Sequence, residues 1–145
     1  ATIFRQTMFA EFEHEAHAMV EKGIPITVDS IRSKYRELME MYFGPDMVLE
    51  EESDMEGLRI PHFYRSYYVY KYATGLSAAI ALSERVLKGG KSEQTDYLNF
   101  LKSGGSKYPL ESLKLAGVDM SKPEPVRAAM EVFEKLLDEM NKLMK

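Results

Sequence analysis

Three histidines, nine tyrosines and no cysteine bound the chemistry open to this chain of 145 residues. Two of the histidines fall in AEFEHEAH, residues 10–17. There His14-Glu15-Ala16-His17 is one residue short of H-E-x-x-H, the helical pattern with zinc ligands at i and i+4 and a glutamate that activates water. Helix geometry does not reject the shorter spacing, because residues three apart are also neighbours. The ligand inventory does: catalytic zinc takes three protein ligands plus an open position, and the only other histidine is His62. Glu11-Phe12-Glu13-His14 also reads Glu-x-x-His. A di-metal carboxylate bundle needs two such pairs and two more inward glutamates, and the chain has no second pair. Glu11, Glu15 and their neighbours are therefore expected on a solvated helix face, with Glu13 and His17, four apart, able to pair there.

The more unusual stretch is IPHFYRSYYVYKYATG, residues 60–75. Read as a helix, it places Phe63, Tyr67 and Tyr70 in one stripe and Tyr64, Tyr68 and Tyr72 in an adjacent one. A buried phenol needs a hydrogen-bond partner, so a core helix is built more simply from Leu and Ile. So many hydroxyls point to a polar cleft, where a tyrosine O–H donates to a developing oxyanion and the rings hold an extended peptide. His62, at the start of the segment, could donate in the same way. The plainer alternative is a set of amphipathic core tyrosines with satisfied hydroxyls and a histidine near a cap; the residues alone leave both open. Downstream, ATGLSAAIA is rich in small residues that permit close helix approach. Gly75 costs a helix about 1 kcal/mol relative to alanine, which implies a close contact or a bend there.

The elements that must position these groups all have helical period. Phe4, Met8, Phe12, Ala16 and Met19 make one apolar stripe, stopped by Gly23 and Pro25. Thr27 or Asp29 caps a second helix through Ile31, Tyr35, Leu38, Met39 and Tyr42 to Gly44-Pro45. The acidic run Glu50-Glu51-Glu52-Ser53-Asp54 reads as an exposed loop. A third helical region is predicted from Pro61, a good first-turn residue, to Lys88-Gly89-Gly90. Ser92 opens a shorter helix that ends at Ser103-Gly104, another follows Pro109, and Pro125 begins a last amphipathic one through Val126, Met130, Phe133, Leu137 and Met140. Strand-like alternation is nowhere sustained, so the class is all-α.

Composition narrows the function further. The net charge of −4 is mixed along the chain, and no Lys/Arg stripe offers a nucleic-acid footprint. No apolar run reaches membrane-spanning length, and the start lacks a signal-peptide layout. Without cysteine there is no disulfide framework, thiolate metal site or cysteine nucleophile, which suits a reducing compartment such as the cytoplasm. The chain opens at Ala1 without an initiator methionine and reads as a piece of a longer polypeptide.

Three blocks in order, RQTMFAEFE (5–13), IPHFYRSYYVYKYATG (60–75) and FLKSGGSKYP (100–109), resemble the C-terminal part of oligoendopeptidase F, a zinc metallopeptidase family of the thimet oligopeptidase clan. The resemblance covers nearly the whole chain, and the central block is the most specific. It implies a helical bundle forming the C-terminal part of a larger, mostly helical peptidase whose deep cleft admits oligopeptides. It also implies zinc in the full-length enzyme, held by an H-E-x-x-H helix and a third glutamate upstream of residue 1. His14 to His17 follow the FAEFE block, which in the family comes after the zinc motif, so they are not that motif. His62 matches the family histidine; Tyr70, then Tyr67, are the implied catalytic tyrosines, with Tyr70 the first choice as oxyanion donor. Tyr64, Tyr68 and Tyr72 are the implied substrate-binding set. The thimet-type relatives place more residues between the histidine and the tyrosines, and EGLR (56–59) stands here where the family pattern leads one to expect an aromatic residue. The implied partners are an oligopeptide substrate and the missing N-terminal part of the same chain. Alone, the piece is expected to bind no zinc, to be inactive and to self-associate through exposed apolar surface. The competing non-enzyme reading is a stand-alone helical module that binds a peptide or partner through a tyrosine-lined groove.

Overall fold

A computed structural model describes residues 2–145, and among them all regular structure is helical, as the periodicity predicts. The α-helices are α1 (Thr2–Glu21), α2 (Val28–Phe43), α3 (Glu56–Arg59), α4 (Tyr70–Lys88), α5 (Lys91–Ser103), α6 (Pro109–Leu115) and α7 (Glu124–Leu143), with 3₁₀ turns at Glu51–Met55 and Pro61–Tyr64. The chain divides into two compact units, one running up to Ala73 and the other from Thr74 onward.

In the first unit, Met8, Phe9 and Phe12 of α1 pack against Ile31, Tyr35, Leu38 and Met39 of α2, with Ile60 and Val69 closing the cluster. The α1 stripe differs from the predicted one: Phe4 is exposed, while Phe9 and Glu13 are buried. Burial follows Phe9 and Glu13, i and i+4, as much as Met8 and Phe12, so the face turned inward is wider than the apolar letters alone indicate. The helix ends in a Schellman pattern, Ile24 N–H to Met19 O at 2.9 Å and Gly23 N–H to Val20 O at 2.9 Å, which satisfies two terminal carbonyls. Of the two cap candidates for α2, Thr27 is the one used. Its Oγ1 accepts from Ser30 N–H at 3.1 Å, and Ser30 Oγ accepts from Thr27 N–H at 2.9 Å, a reciprocal capping box.

The acidic run is not a free loop. Glu51 and Glu52 are exposed, but Asp54 is buried and accepts from Arg32 Nε at 2.6 Å. One turn along α2, Arg36 donates to the carbonyls of Glu50 at 2.7 Å and Leu49 at 2.9 Å. Two guanidinium forks spaced i and i+4 thus capture the segment through donors that no local pattern reveals.

α3 approaches the core more closely than a side chain at its second position would allow. A Cβ on Gly57 would lie 2.8 Å from Tyr35 Cδ2 and 3.2 Å from Phe12 Cζ. The rings of Tyr35 and Phe12 thus leave no room for a side chain at Gly57. Gly75 is the opposite case, with nothing within 4 Å of the position its Cβ would take, so it marks no close contact.

In the second unit, Leu82, Ala116 and Val118 form the core, backed by Ala81, Tyr97, Phe100, Leu113 and Met120. Glu93, rather than Ser92, organises the start of α5, its carboxylate accepting from Gly90 N–H at 2.8 Å. Arg85 ties α4 to α5 through Asp96 Oδ2 at 2.8 Å. At the end of α6, Gly117 takes φ +81° with Arg85 Nε 2.5 Å from where its Cβ would be, so both backbone and space select glycine. An apolar groove of about 530 Å³ lies between Ala78, Leu82, Val86, Tyr97, Phe100 and Leu113. No acid, base or histidine lines it.

Candidate functional site

The helix predicted from Pro61 to Lys88 is broken, and the break shapes the site. Pro61–Tyr64 is a 3₁₀ turn, residues 65–69 are irregular, and α4 begins only at Tyr70. The two predicted aromatic stripes therefore do not exist as helical stripes. The physical reason is Tyr67, whose φ of 57° is left-handed and incompatible with a right-handed helix. Its N–H turns to α1 and donates to Glu13 Oε1 at 2.5 Å. Two residues on, the fully buried Val69 anchors the segment in the core.

This break brings some of the candidate residues together and leaves others apart. His62 is exposed and stacks on Tyr68 at 5.4 Å and 22°, while Tyr72 meets both edge-on, His62 at 6.0 Å and Tyr68 at 5.8 Å. Lys71 Nζ lies 4.1 Å above the Tyr68 ring, an orientation that the ring quadrupole favours. A hydrogen bond with Tyr68 is the main cause that raises the Tyr72 phenol above its ordinary value. Tyr64 is the most open, 79 % exposed, although its hydroxyl donates to Leu58 O at 3.0 Å. Tyr67 is half exposed and joins His17 instead, ring on ring at 4.8 Å and 24°. Tyr70, also half exposed, opens α4.

The AEFEHEAH face also differs from its predicted role. Glu13 is buried and Glu11 accepts from Tyr42 Oη at 2.6 Å, so these carboxylates organise contacts between elements rather than face water. Glu13 and His17 both engage Tyr67; His14 is exposed. No group of three His, Cys, Asp or Glu residues that could hold a metal ion occurs among the described residues. The residues present therefore do not supply a ligand set for the zinc that the resemblance implies. The sequence reading missed Glu13, His17 and Lys71 as neighbours of the tyrosine segment. Glu13 left one trace, since it lies four residues after Phe9 on a face that is otherwise apolar.

The model of peptidase family M3 matches residues 1–132. The chain belongs to peptidase family M3. Within that family it is 53% identical over 143 residues to oligopeptidase PepF of Bacillus subtilis, covering 99% of this chain and 21% of that protein. It is 43% identical to an oligoendopeptidase F homolog of Borreliella burgdorferi, covering 99% of this chain and 24% of that protein. The crystal structure of oligoendopeptidase-F from Enterococcus faecium matches it with a TM-score of 0.95 at 45% identity, over 99% of this chain and 27% of that one. The family M3 chain described here thus spans between a fifth and a quarter of the length of the curated relatives. None of its described helices is long and apolar enough to cross a membrane.

Proposed function

We propose that this chain is the C-terminal, substrate-binding part of a cytoplasmic zinc oligoendopeptidase that hydrolyses short peptides. One observation carries the reading. Segment 60–72 gives its core only Ile60, Val69 and the partly buried Phe63, and leaves Tyr64, Tyr67, Tyr70 and Tyr72 presented at the surface. Exposed rings suit an extended peptide, whose side chains their faces take up while hydroxyls exchange their present partners for its carbonyl oxygens. Tyr70, seconded by Tyr67 and His62, donates to the oxyanion that forms on the attacked carbonyl; Tyr64, Tyr68 and Tyr72 line the peptide. Neutral donors suffice for this work, and an ordinary phenol, titrating at about 10, is neutral at physiological pH. The metal and its ligands belong, on this reading, to the rest of the polypeptide, so the isolated piece binds no zinc, cleaves nothing and tends to self-associate.

The test is Tyr70→Phe in the full-length protein. One lost oxyanion donor lowers kcat by about 10²–10³-fold, and KM moves little because the contact is made in the transition state. Turnover near that of the parent would remove Tyr70 from the chemistry.

A further inference from the structure

We propose that Glu13 and His17 are positioning residues that clamp Tyr67 and so set the direction of the aromatic segment. The inference rests on the peptidase reading for its consequence but not for its geometry. Tyr67 is the only non-glycine residue with positive φ among the described residues. For a bulky side chain that conformation is disfavoured and persists only where its surroundings over-determine it. Two residues of α1, one turn apart, do so here. Glu13, 4% exposed, takes the Tyr67 amide at 2.5 Å. His17 lays its imidazole on the Tyr67 ring at 4.8 Å. Backbone and ring of one residue are thus gripped from the same helix.

The dependence runs in both directions. A carboxylate buried without a partner is strongly disfavoured, and the Tyr67 amide meets that need. A continued helix would have spent the same amide on a carbonyl four residues back. Once Tyr67 is turned, the chain delivers Tyr68 onto His62, buries Val69 and starts α4 at Tyr70. The grip therefore fixes, within three residues, where the proposed donors begin. Its chemistry needs an acceptor of the right reach, not a charge: glutamine preserves the carbonyl oxygen, whereas aspartate is one methylene short. The histidine needs a flat ring, not a proton.

The experiment uses the full-length enzyme with a short peptide substrate and, in parallel, hydrogen exchange of the Tyr67 amide followed by mass spectrometry. Glu13→Gln and His17→Phe are expected to keep kcat within about threefold. Glu13→Asp and His17→Ala are expected to lower it about ten- to a hundredfold, the effect of a misplacement of about 1 Å. Glu13→Asp also speeds exchange at Tyr67, as loss of a protecting hydrogen bond requires. Met39→Ala, a core truncation on α2, serves as a control for loss of stability and leaves kcat within about twofold at assay temperature. The clamp is overturned if Glu13→Asp and Met39→Ala depress kcat alike. It is also overturned if Glu13→Gln fails as badly as Glu13→Asp, or if the parent's Tyr67 amide exchanges as fast as an open loop. A parent enzyme that cleaves no peptide would sink the peptidase reading instead, and the exchange data would still decide the clamp.

Discussion

Replacing Gly57 with alanine tests how the core fixes the segment that carries His62. The new Cβ would lie 2.8 Å from Tyr35 Cδ2, 3.0 Å from Tyr35 Cγ and 3.2 Å from Phe12 Cζ, against a comfortable carbon–carbon distance of about 3.5–4.0 Å. Tyr35 cannot yield cheaply. It is 0% exposed, its ring meets Phe12 edge-on at 5.0 Å, and its hydroxyl donates to Glu56 Oε2 at 2.7 Å. Glu56 precedes Gly57 and also accepts from Arg5, so a shift of α3 that relieves the clash strains that carboxylate. Overpacking of this kind costs about 1–3 kcal/mol, and weakening a hydrogen bond to a charged acceptor adds to it. The gain from alanine in a helix offsets at most about 1 kcal/mol. The balance is a loss of about 1–3 kcal/mol, or several degrees of Tm for a chain of this size. Denaturant and thermal unfolding followed by tyrosine emission measure it, since the chain has no tryptophan. Gly75→Ala is the matched control: its Cβ meets nothing within 4 Å, so it should stabilise by up to about 1 kcal/mol. If Gly57→Ala were as stable as the parent or more so, the closeness of α3 to Tyr35 would be wrong.

Two further outcomes follow from the same geometry. Arg32→Gln should loosen residues 51–55, because Asp54 loses the Nε donor at 2.6 Å while Arg36 still holds Leu49 and Glu50; limited proteolysis should then cut there first, and an unchanged cleavage pattern would deny the anchor. Stability should also fall at alkaline pH. Burial first, then the hydrogen bond to Glu11, pushes the Tyr42 phenol up to about 12, and burial with the hydrogen bond to Glu56 raises Tyr35 as well. Both folded values exceed the unfolded value of about 10, so their contribution is complete below about pH 10 and is lost as pH rises through the folded values. Unfolding measured across that window should show a downward ramp that is shallower in Tyr42→Phe.

The helices were legible because their cause is local. Period, the Thr27 cap, the Pro109 start and the glycine stops are written in neighbouring letters, and they yielded an all-α chain and most of its boundaries. The candidate site was legible as a list of residues but not as an arrangement. Helical period at 63–72 looked continuous, since nothing in YRSYYVYKY announces that Tyr67 will take a left-handed φ. Its partner Glu13 is 54 residues away. Asp54 misled for the same reason: its partner Arg32 comes from another element, so an acidic letter read as part of an exposed loop turned out to tie that segment to α2. Gly57 is the instructive middle case. The glycine was visible in the letters, but the need for it, a tyrosine and a phenylalanine pressed against that position, belongs to the assembled core.

The tyrosines themselves carry the remaining argument. A fold that needed segment 60–72 only for support would bury its rings, because each ring left in water forgoes the largest stabilisation that its residue can give. Here the burial is done by Ile60, Phe63 and Val69, and four phenols are left outside that core. The backbone at Tyr67 adopts a disfavoured conformation within the same few residues. The amide of Tyr67 satisfies the buried Glu13, but stability does not explain the exposed rings. Those rings are accounted for if the segment meets something outside this chain with its flat aromatic faces, as the proposed peptide substrate would require.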